Sequence, residues 1–349
     1  MVTMSDDYGD VDRGYDNSHK AFLQAFLARS VMTLDEAKPI LAKILSAHDD
    51  RETLPDDITA TDIQSYIATV NAAISPLDYE IRHTHRQTAS PTTNHPTSTQ
   101  QPSPRTLIYA LVNTVSDLST QLATTHSPDD IAFVKRVLDD MFEKNNTPKR
   151  ETMAVKGIDA LRNRRPPNAP ETQAQTPRRS EGGEGAMTQM ANGGSGGTAL
   201  TVDRAEKVLQ GLVEEGWFEK SRAGFLSLSP RALMELRGWL YDTYNEAVEG
   251  EEEGERWVRI KDCEGCKDIV TIGQRCANPD CLVRFHNFCA QGFFRNGAAK
   301  NCPRCQTEWT GQDFVGQEAA KGMAAQRRQR GQRVGRGQAS AEAVESETE

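Results

Sequence analysis

The sequence predicts a mostly α-helical protein with small β elements, arranged as two winged-helix domains followed by a finger held together by metal. Apolar residues recur at helical spacing through much of the N-terminal two thirds of the chain. A helix, a hairpin and a second helix follow one another between residues 203 and 245, an order typical of a winged-helix domain. All seven cysteines lie between 263 and 305, whereas a secreted disulfide scaffold would spread them along its length. The finger is therefore predicted to bind metal.

Composition and charge limit the classes of function. The chain has 349 residues and a net charge of −9, which excludes a globally basic coat for nucleic acid, although weak or indirect DNA contact by a local basic patch stays open. No apolar run reaches the ~18–20 residues of a membrane span. The acidic start MVTMSDDYGD is unlike a signal peptide. We expect a soluble intracellular protein without a membrane partner.

Polar, low-complexity stretches divide the chain into domains. Apolar residues make up 37% of the chain, and the deficit is concentrated in segments that cannot bury a core. The predicted organisation is a disordered N-terminus at 1–17, a first winged-helix domain at 18–150 with a low-complexity insertion at 84–104, a second winged-helix domain at 151–248 with a Pro/Gly-rich linker or insertion at 163–197, a metal-binding finger at 257–312 and a disordered basic-then-acidic tail at 316–349.

The first domain is predicted to contain several amphipathic helices and one strand. Phe22, Phe26 and Leu27 belong to the first helix. The next helix starts at a capping box of Thr33 and Glu36, in which each side chain satisfies a free backbone donor. The remaining predicted elements are a helix over 63–74, a strand over 77–81, a helix over 107–118 and a helix that starts at Ser127-Pro128 and continues to 142.

The second domain is predicted to have a helix over 203–215, a hairpin over 217–228 and a closing helix that starts at Ser229-Pro230. A DNA-reading helix normally carries a surplus of basic residues that neutralise phosphates. Helix 203–215 instead has more acidic than basic residues. We therefore expect this domain to contact proteins rather than DNA.

Eight potential metal ligands form four pairs in the finger. They are Cys263, Cys266, Cys276, Cys281, His286, Cys289, Cys302 and Cys305. Zinc prefers four cysteine or histidine ligands in a tetrahedron, so eight ligands predict two zinc ions. Because four protein ligands leave an ion no open coordination position, both zinc ions are predicted to be structural, and no catalytic residue is assigned.

Two pairings of these ligands are compatible with their spacing. Sequential pairing gives the first four ligands to one ion and the last four to the other. Interleaved pairing gives Cys263, Cys266, His286 and Cys289 to zinc 1, and Cys276, Cys281, Cys302 and Cys305 to zinc 2. The interleaved form suits a module of ~45 residues, because it ties the chain together with little need for a hydrophobic core.

The ligand spacing resembles that of RING and PHD fingers, both of which are cross-braced, and this resemblance favours the interleaved pairing. A PHD finger normally has an aromatic residue two positions before its seventh ligand, where this chain has Lys300. The last pair encloses Pro303, which is typical of RING fingers. The finger is therefore predicted to be RING-like, with four cysteines, one histidine and three cysteines as its ligands in chain order, and a PHD-like histone reader is the alternative.

Motifs outside the finger extend the resemblance. The segments HKAFLQAFL, YALVN and EKVLQGLVEEGWFEKSRAGFLSLSPRALMELRGWL, together with CEGC and NCPRCQTEW in the finger, are similar to the first non-SMC element family of the SMC five–six chromosome-maintenance complex. The resemblance implies a nuclear, chromatin-associated subunit that acts in DNA repair and homologous recombination. It also implies a MAGE-type partner, with a kleisin subunit nearby. The candidates for partner binding are Phe22, Phe26 and Leu27.

The resemblance further implies a RING-type ubiquitin ligase, which holds a ubiquitin-conjugating enzyme beside a substrate. RING ligases usually carry a bulky aliphatic residue before the second ligand and a basic residue after the eighth, where this chain has Gly265 and Gln306. We therefore expect weak ligase activity without the MAGE-type partner, and a non-catalytic assembly subunit is the alternative. The candidates for docking the conjugating enzyme are Ile269, Phe293, Phe294 and Pro303, while Phe288 is expected to pack near the zinc.

Overall fold

A computed structural model describes residues 14–87, 106–167, 198–245, 257–295 and 300–320. The fold is mostly helical with small sheets, which confirms the predicted class. Within the described residues, no helix combines the length and the apolar character needed to cross a membrane. Most of the stretches predicted as disordered or inserted, namely 1–13, 88–104, 168–197 and 321–349, lie outside the described residues.

Helices and short strands are interspersed along the described chain. The helices are α1 (Asn17–Arg29), α2 (Leu34–His48), α3 (Ala60–Ile74), α4 (Leu118–Leu122), α5 (Pro128–Asp139), α6 (Gly157–Arg162), α7 (Val202–Glu214), α8 (Pro230–Glu235), α9 (Arg237–Asn245) and α10 (Asn287–Arg295). The strands are β1 (Val31–Thr33), β2 (Tyr79–His85), β3 (Leu107–Asn113), β4 (Asn146–Thr147), β5 (Arg150–Glu151), β6 (Val155–Lys156), β7 (Phe218–Lys220), β8 (Phe225–Leu228), β9 (Gly273–Arg275), β10 (Arg284–Phe285) and β11 (Phe314–Val315).

The first winged-helix unit runs from α1 to β3 in the order helix, strand, helix, helix, strand, strand. Capping boxes at Asp16 and Thr33 begin α1 and α2, because each side chain accepts from a free backbone N–H of the first turn. The sheet is antiparallel with strand order β1-β3-β2. Its core lies between the helices and one face of this sheet, and it includes Phe22, Phe26, Leu41, Ile63, Val70 and Tyr109.

Strand β3 corrects the sequence prediction, because 107–118 was expected to be a helix. The run LIYALVN is apolar at neighbouring positions, and such a short run fits strand and helix periodicity about equally well. It forms a strand because it lies at the centre of the sheet, with β1 on one side and β2 on the other. Both of its faces are covered: Tyr109 lies in the first core, and Ala110 and Val112 contact Met234 of α8.

The second winged-helix unit is built from α5, β6, α6, α7, β7 and β8. Its antiparallel sheet has the strand order β6-β8-β7, with Val155 opposite Leu226. Ser127 caps α5 as predicted, because its hydroxyl accepts from the backbone N–H of the first turn. Arg204 of α7 donates to the fully buried carboxylate of Asp130 on α5, with Nε 3.0 Å from Oδ1. This ion pair ties the two main helices of the unit together.

Residues 118–150 pack in the second unit, although they were predicted to belong to the first domain. Val134 and Val137 of α5 share one core with Val208 and Leu212 of α7. An amphipathic helix shows which of its faces is buried but not which neighbour covers that face. The boundary drawn between 150 and 151 therefore falls inside the second unit, and the chain passes from one unit to the other between β3 and α4.

Helices α8 and α9 connect the two units and lead into the finger. Helix α8 lies against the sheet of the first unit, where Met234 contacts Ala110 and Val112. At the end of α9, the side-chain amide of Asn245 donates to the carbonyl of Ile260 (Nδ2–O 2.9 Å). The Oδ1 atom of Asn245 accepts from the backbone N–H of Ile260 (2.9 Å). These bonds fix the chain where it enters the finger.

The finger contains α10 and an antiparallel sheet with the strand order β10-β9-β11. It extends past its predicted end at 312, because β11 pairs with β9 and the N–H of Gly316 donates to the carbonyl of Glu151. Strand β2 continues to His85, inside the segment predicted as an insertion. Beyond it, the side-chain oxygen of Gln87 accepts from the N–H of Thr271 in the finger (2.9 Å). The finger thus contacts both winged-helix units.

Candidate metal centre

The first ligand set consists of Cys263, Cys266, His286 and Cys289, whose potential ligand atoms all lie within 4.8 Å of one another. The two cysteines at its start share a tight turn, closed by the N–H of Lys267 donating to the carbonyl of Cys263 (2.9 Å). Cys289 lies on α10, and His286 directly precedes that helix. The Nδ1 atom of His286 is 3.2 Å from the Sγ atom of Cys266.

A hydrogen bond outside this set orients the imidazole of His286. Its Nε2 atom lies 3.2 Å from the carbonyl oxygen of Ile269, and because a carbonyl can only accept, Nε2 carries the proton. Nδ1 is then unprotonated and faces the cysteines, as a metal ligand requires. The ring of Phe288 stacks on His286 with a centroid distance of 5.4 Å and contacts the ring of His85 in β2 at 5.0 Å. Phe288 therefore packs between the finger and the first winged-helix unit.

The second ligand set consists of Cys276, Cys281, Cys302 and Cys305, again with all ligand atoms within 4.8 Å. The Sγ atoms of Cys276 and Cys305 are 3.4 Å apart, and those of Cys281 and Cys302 are 3.6 Å apart. The turn between the last two ligands is closed by the N–H of Gln306, which donates to the carbonyl of Cys302 (3.1 Å).

Both sets fit structural zinc by the chemistry of their donors. The structure brings together the two groups of the interleaved pairing, and the chain therefore passes from one set to the other and back. Sets of four cysteines, or of three cysteines and one histidine, bind zinc in closed tetrahedral structural sites. Each set already has four ligands, so neither leaves a coordination position for water or substrate. The arrangement can stiffen the finger but offers no catalytic metal.

A buried carboxylate next to the finger was not predicted from the sequence. Glu151 of β5 is fully buried and accepts from Arg284, a finger residue that is itself fully buried, with Nε 2.7 Å from Oε2. Arg275 and Lys261 also approach this carboxylate, with Nη1 and Nζ 3.2 and 3.5 Å from Oε1. Charged residues are rarely buried unless paired, and the sequence carries no sign of partners that are more than a hundred positions apart.

The protonation of this cluster follows from burial and charge. Burial raises the pKa of Glu151, but the hydrogen bond and charge of Arg284, together with the charges of Lys261 and Arg275, outweigh it and hold the pKa below its usual range. Burial lowers the pKa of Lys261 to about 7, although the negative charge of Glu151 opposes this shift. The ammonium group of Lys261 also lies over the ring of Trp257, 3.5 Å from its centroid. The cluster therefore joins the finger to the second unit by charge as well as by packing.

The docking candidates in the finger differ in exposure. Ile269 has only 2% of its surface exposed, so it belongs to the core and cannot dock another protein as predicted. Phe293 is 38% exposed, and its ring contacts the buried Phe285 at a centroid distance of 5.0 Å. Phe294 is half-buried against Trp309, with centroids 5.1 Å apart. Pro303 is exposed. Phe293 and Pro303 are thus the candidates that a partner can reach.

The three candidates for partner binding also differ in solvent exposure. Phe22 and Phe26 are fully buried, with their rings edge to face at 5.3 Å. They form part of the first core, which corrects their assignment to an interface. Leu27 is 63% exposed on the other side of α1. Adjacent positions on a helix point in different directions, and this is why Phe26 is buried while Leu27 is not.

Comparisons with known proteins place these features in a family. The family model described as Nse1 non-SMC component of SMC5-6 complex matches residues 19–236, and the model described as RING-like domain matches residues 263–305. The chain is 21% identical over 291 residues to the Non-structural maintenance of chromosomes element 1 homolog of Homo sapiens, covering 83% of each chain. The homolog of Rattus norvegicus matches with the same identity and coverage.

A solved structure shows the same fold. The chain is similar to one chain of a structure titled Nse1-Nse3-Nse4 complex, with 19% sequence identity and a TM-score of 0.56. The match covers 85% of this chain and 97% of the other. The similarity therefore extends across the winged-helix units and the finger together.

Proposed function

Since the chain belongs to the family of Nse1 non-SMC components of the SMC5-6 complex, we propose that it is the RING-type ubiquitin ligase subunit of such a complex. In this role the protein is nuclear and chromatin-associated, and it takes part in DNA repair and homologous recombination. The family match over more than half of the chain and the RING-like match to its finger support the proposal.

The two interleaved ligand sets are the observation that carries the proposal. Each set has the four ligands for one structural zinc ion, and two bound ions would supply cross-links that keep the finger in one shape. The ubiquitin thioester and the attacking amine both come from other molecules. The finger contributes proximity and orientation, which need a rigid surface and no catalytic side chain.

The exposed aromatic edge of the finger suits the docking of a conjugating enzyme. Phe293 is partly exposed and is supported from below by Phe285, which in turn contacts Trp309 at a centroid distance of 5.5 Å. An aromatic side chain that is held in place loses little conformational entropy on binding, so it makes a good anchor. Pro303, in the turn of the last ligand pair, adds a second exposed apolar group.

The proposed partners are a MAGE-type subunit and a kleisin. The resemblance to the family implies these two kinds of partner, and the solved chain of the same fold comes from a complex titled Nse1-Nse3-Nse4. Leu27 is a candidate contact for the MAGE-type subunit because it is a large apolar side chain exposed on α1. Activity of the isolated chain is expected to be weak and to rise when this partner is bound.

A ubiquitin-discharge assay tests the ligase. The full chain, with and without its MAGE-type partner, is mixed with ubiquitin-charged conjugating enzymes and free lysine. We expect discharge to rise at least about tenfold with the partner, and Phe293→Ala to abolish most of this gain. Leu282→Ala is the matched control, because Leu282 has the same exposed fraction, 38%, in the same finger. If none of a broad panel of conjugating enzymes is stimulated, the ligase proposal fails.

A non-catalytic assembly subunit is the second candidate, and two positions favour it. Ile269 is buried, and Gly265 offers no side chain at the position where RING ligases usually carry an aliphatic one. A Cβ atom at Gly265 would lie 3.2 Å from Cβ of Cys289, so a larger residue there would press on the first ligand set. In this case the partners assemble on the chain normally while discharge stays at the background rate.

A further inference from the structure

A cleft of about 660 Å³ lies between the first winged-helix unit, helix α8 and the finger. One wall is α3 with Gln64, Ile67 and Ala68, and the opposite wall is α8 with Leu233 and Met234. Strand β2 lies between these walls, and the finger closes one end with residues 268 and 269. Three separate parts of the chain thus build one site, which none of the features described above uses.

The strand in this cleft is the edge of its sheet. Strand β2 is last in the order β1-β3-β2, so within the described residues one of its sides has no neighbouring strand. The side chain of Asn71 occupies part of that side: its Oδ1 accepts from the N–H of Ile81 (2.8 Å), and its Nδ2 donates to the carbonyl of Ile81 (3.0 Å). The backbone of Ile81 therefore points away from β3.

Alternation along the strand extends this result to His83. In an antiparallel pair, every second residue directs both its N–H and its C=O away from the partner strand. His83 follows Ile81 by two positions, so both of its backbone groups point to the same open side. Among the residues that the structure describes, none forms a hydrogen bond with them. An exposed pair of this kind is a template for another strand.

The walls and the floor of the cleft provide sites for side chains. An added strand would direct alternate residues towards Ile67 and Ala68 on one side and towards Leu233 and Met234 on the other. The hydroxyl of Tyr109, which also lines the cleft, is buried without a hydrogen-bond partner among the described residues. The cleft therefore favours small and medium apolar side chains, and the hydroxyl of Tyr109 can form one hydrogen bond with a ligand.

Among the charged side chains around the cleft, one carboxylate is available to pair with a ligand. Arg82 is paired with Glu80, and Arg237 is paired with Asp262. Asp268 accepts from the hydroxyl of Thr84 (3.0 Å) but has no ion pair within the described part of the chain. A basic side chain at the finger end of the cleft would complement this carboxylate.

We propose that the cleft binds an extended peptide segment of a partner protein, which adds to β2 as a fourth strand of the first sheet. The N–H and C=O of His83 bond to the peptide backbone, apolar residues occupy the two walls, and a Lys or Arg side chain pairs with Asp268. The chain's own segment 88–104 does not fit this description, because it has four prolines and a single apolar residue. This site is independent of the ligase proposed for the finger.

Selection from a displayed library of random twelve-residue peptides against the zinc-loaded full chain tests the proposal. We expect a consensus with apolar residues and one basic residue, and the best synthetic peptide of that consensus is the probe. N-methylation of its amides, one at a time, should weaken binding at least tenfold at the amide that donates to the carbonyl of His83 and less than threefold at the two neighbouring amides. A helical pattern of sensitive positions, or no enriched peptide, overturns the proposal.

Variants of the chain locate the probe. His83→Pro removes the N–H that faces the cleft but no bond to β3, and we expect at least tenfold weaker binding, whereas His83→Ala keeps the N–H and stays within threefold. Asp268→Asn should weaken only a peptide that carries the basic residue. Replacing 88–104 with a Gly-Ser linker should change affinity less than twofold, and a tenfold gain would show that the cleft is filled from within the chain. Equal binding to the proline and alanine variants would contradict strand addition.

Discussion

The guanidinium of Arg284 donates to the carboxylate of Glu151, with Nε 2.7 Å from Oε2, and both side chains are completely buried. Arg284 lies between two metal ligands in the sequence of the finger. Glu151 lies on β5, in the part of the chain that packs in the second winged-helix unit. A buried pair of charges is costly to form but still more costly to break. The contact therefore makes the position of the finger depend on the winged-helix unit that supports it.

Removing this carboxylate should destabilise the protein strongly. In Glu151→Gln, the buried Arg284 and the nearby Arg275 lose their counter-charge, and we expect the free energy of unfolding to fall by about 3–5 kcal/mol. Urea denaturation of the full chain in excess zinc, followed by tryptophan fluorescence, measures the loss.

An exposed ion pair provides the control for this variant. Asp159 and Arg162 form an i,i+3 pair on α6 with both side chains largely in solvent. Asp159→Asn should therefore cost less than about 1 kcal/mol. If Glu151→Gln costs no more than this control, the buried cluster does not stabilise the protein.

The fold class and the eight potential metal ligands could be predicted because their signals are local. A capping box such as Thr33 and Glu36 marks a helix start within four residues, and the structure has this box at α2. The concentration of seven cysteines and one histidine in one short segment identifies the eight ligands, while the resemblance to RING and PHD fingers favoured the interleaved pairing that the structure has. In both cases the physical constraint acts over a few positions or on a rare residue type.

The remaining features depend on contacts between residues that are far apart in the chain, and the sequence alone does not reveal these contacts. The strand at 107–113 is set by pairing with β1 and β2, and the position of α5 is set by its packing on α7. The partners of Glu151 are more than a hundred residues away. Leu27 and Phe26 are both apolar neighbours on α1, and only the packed core shows which of them is buried.

Acidic pH should stabilise the native protein through Glu235, which lies on α8 beside the first sheet. Burial raises the pKa of this carboxyl, and the nearby Arg231 only partly opposes the shift. A group whose pKa is raised by folding contributes stability that is complete below its unfolded pKa and is lost as pH rises through its folded pKa. We expect wild type to lose stability relative to Glu235→Gln as pH rises from 4.5, the ordinary pKa of a glutamate, to 7.5.

Urea midpoints of both proteins at several pH values between these limits test the prediction. The variant should be at least as stable as wild type at pH 7.5. Glu206→Gln controls for the loss of one negative charge, because Glu206 is exposed on α7. If the urea midpoint of wild type instead rises relative to that of Glu235→Gln as pH increases, the carboxylate of Glu235 is a net source of stability and the prediction is wrong.

Leu27 and Phe26 should respond differently to the same substitution. Leu27→Asp changes an exposed position, so we expect stability within about 0.5 kcal/mol of wild type and weaker co-purification with the MAGE-type partner. Phe26→Asp places a charge in the core and should cost about 4 kcal/mol or more. Leu54→Asp, at another exposed leucine, should leave both properties unchanged. Full retention of the partner by a folded Leu27→Asp protein would exclude this contact.

Metal analysis of two double variants should separate interleaved from sequential pairing. We expect two zinc ions per wild-type chain. Cys281→Ser with Cys302→Ser removes two ligands of the second set only, so one zinc should remain. Cys266→Ser with Cys281→Ser damages both sets, so zinc should fall towards zero. Sequential pairing predicts the reverse result, because Cys266 and Cys281 would then share one ion. The first set can persist alone because the bond between Arg284 and Glu151 still holds the finger against the second winged-helix unit.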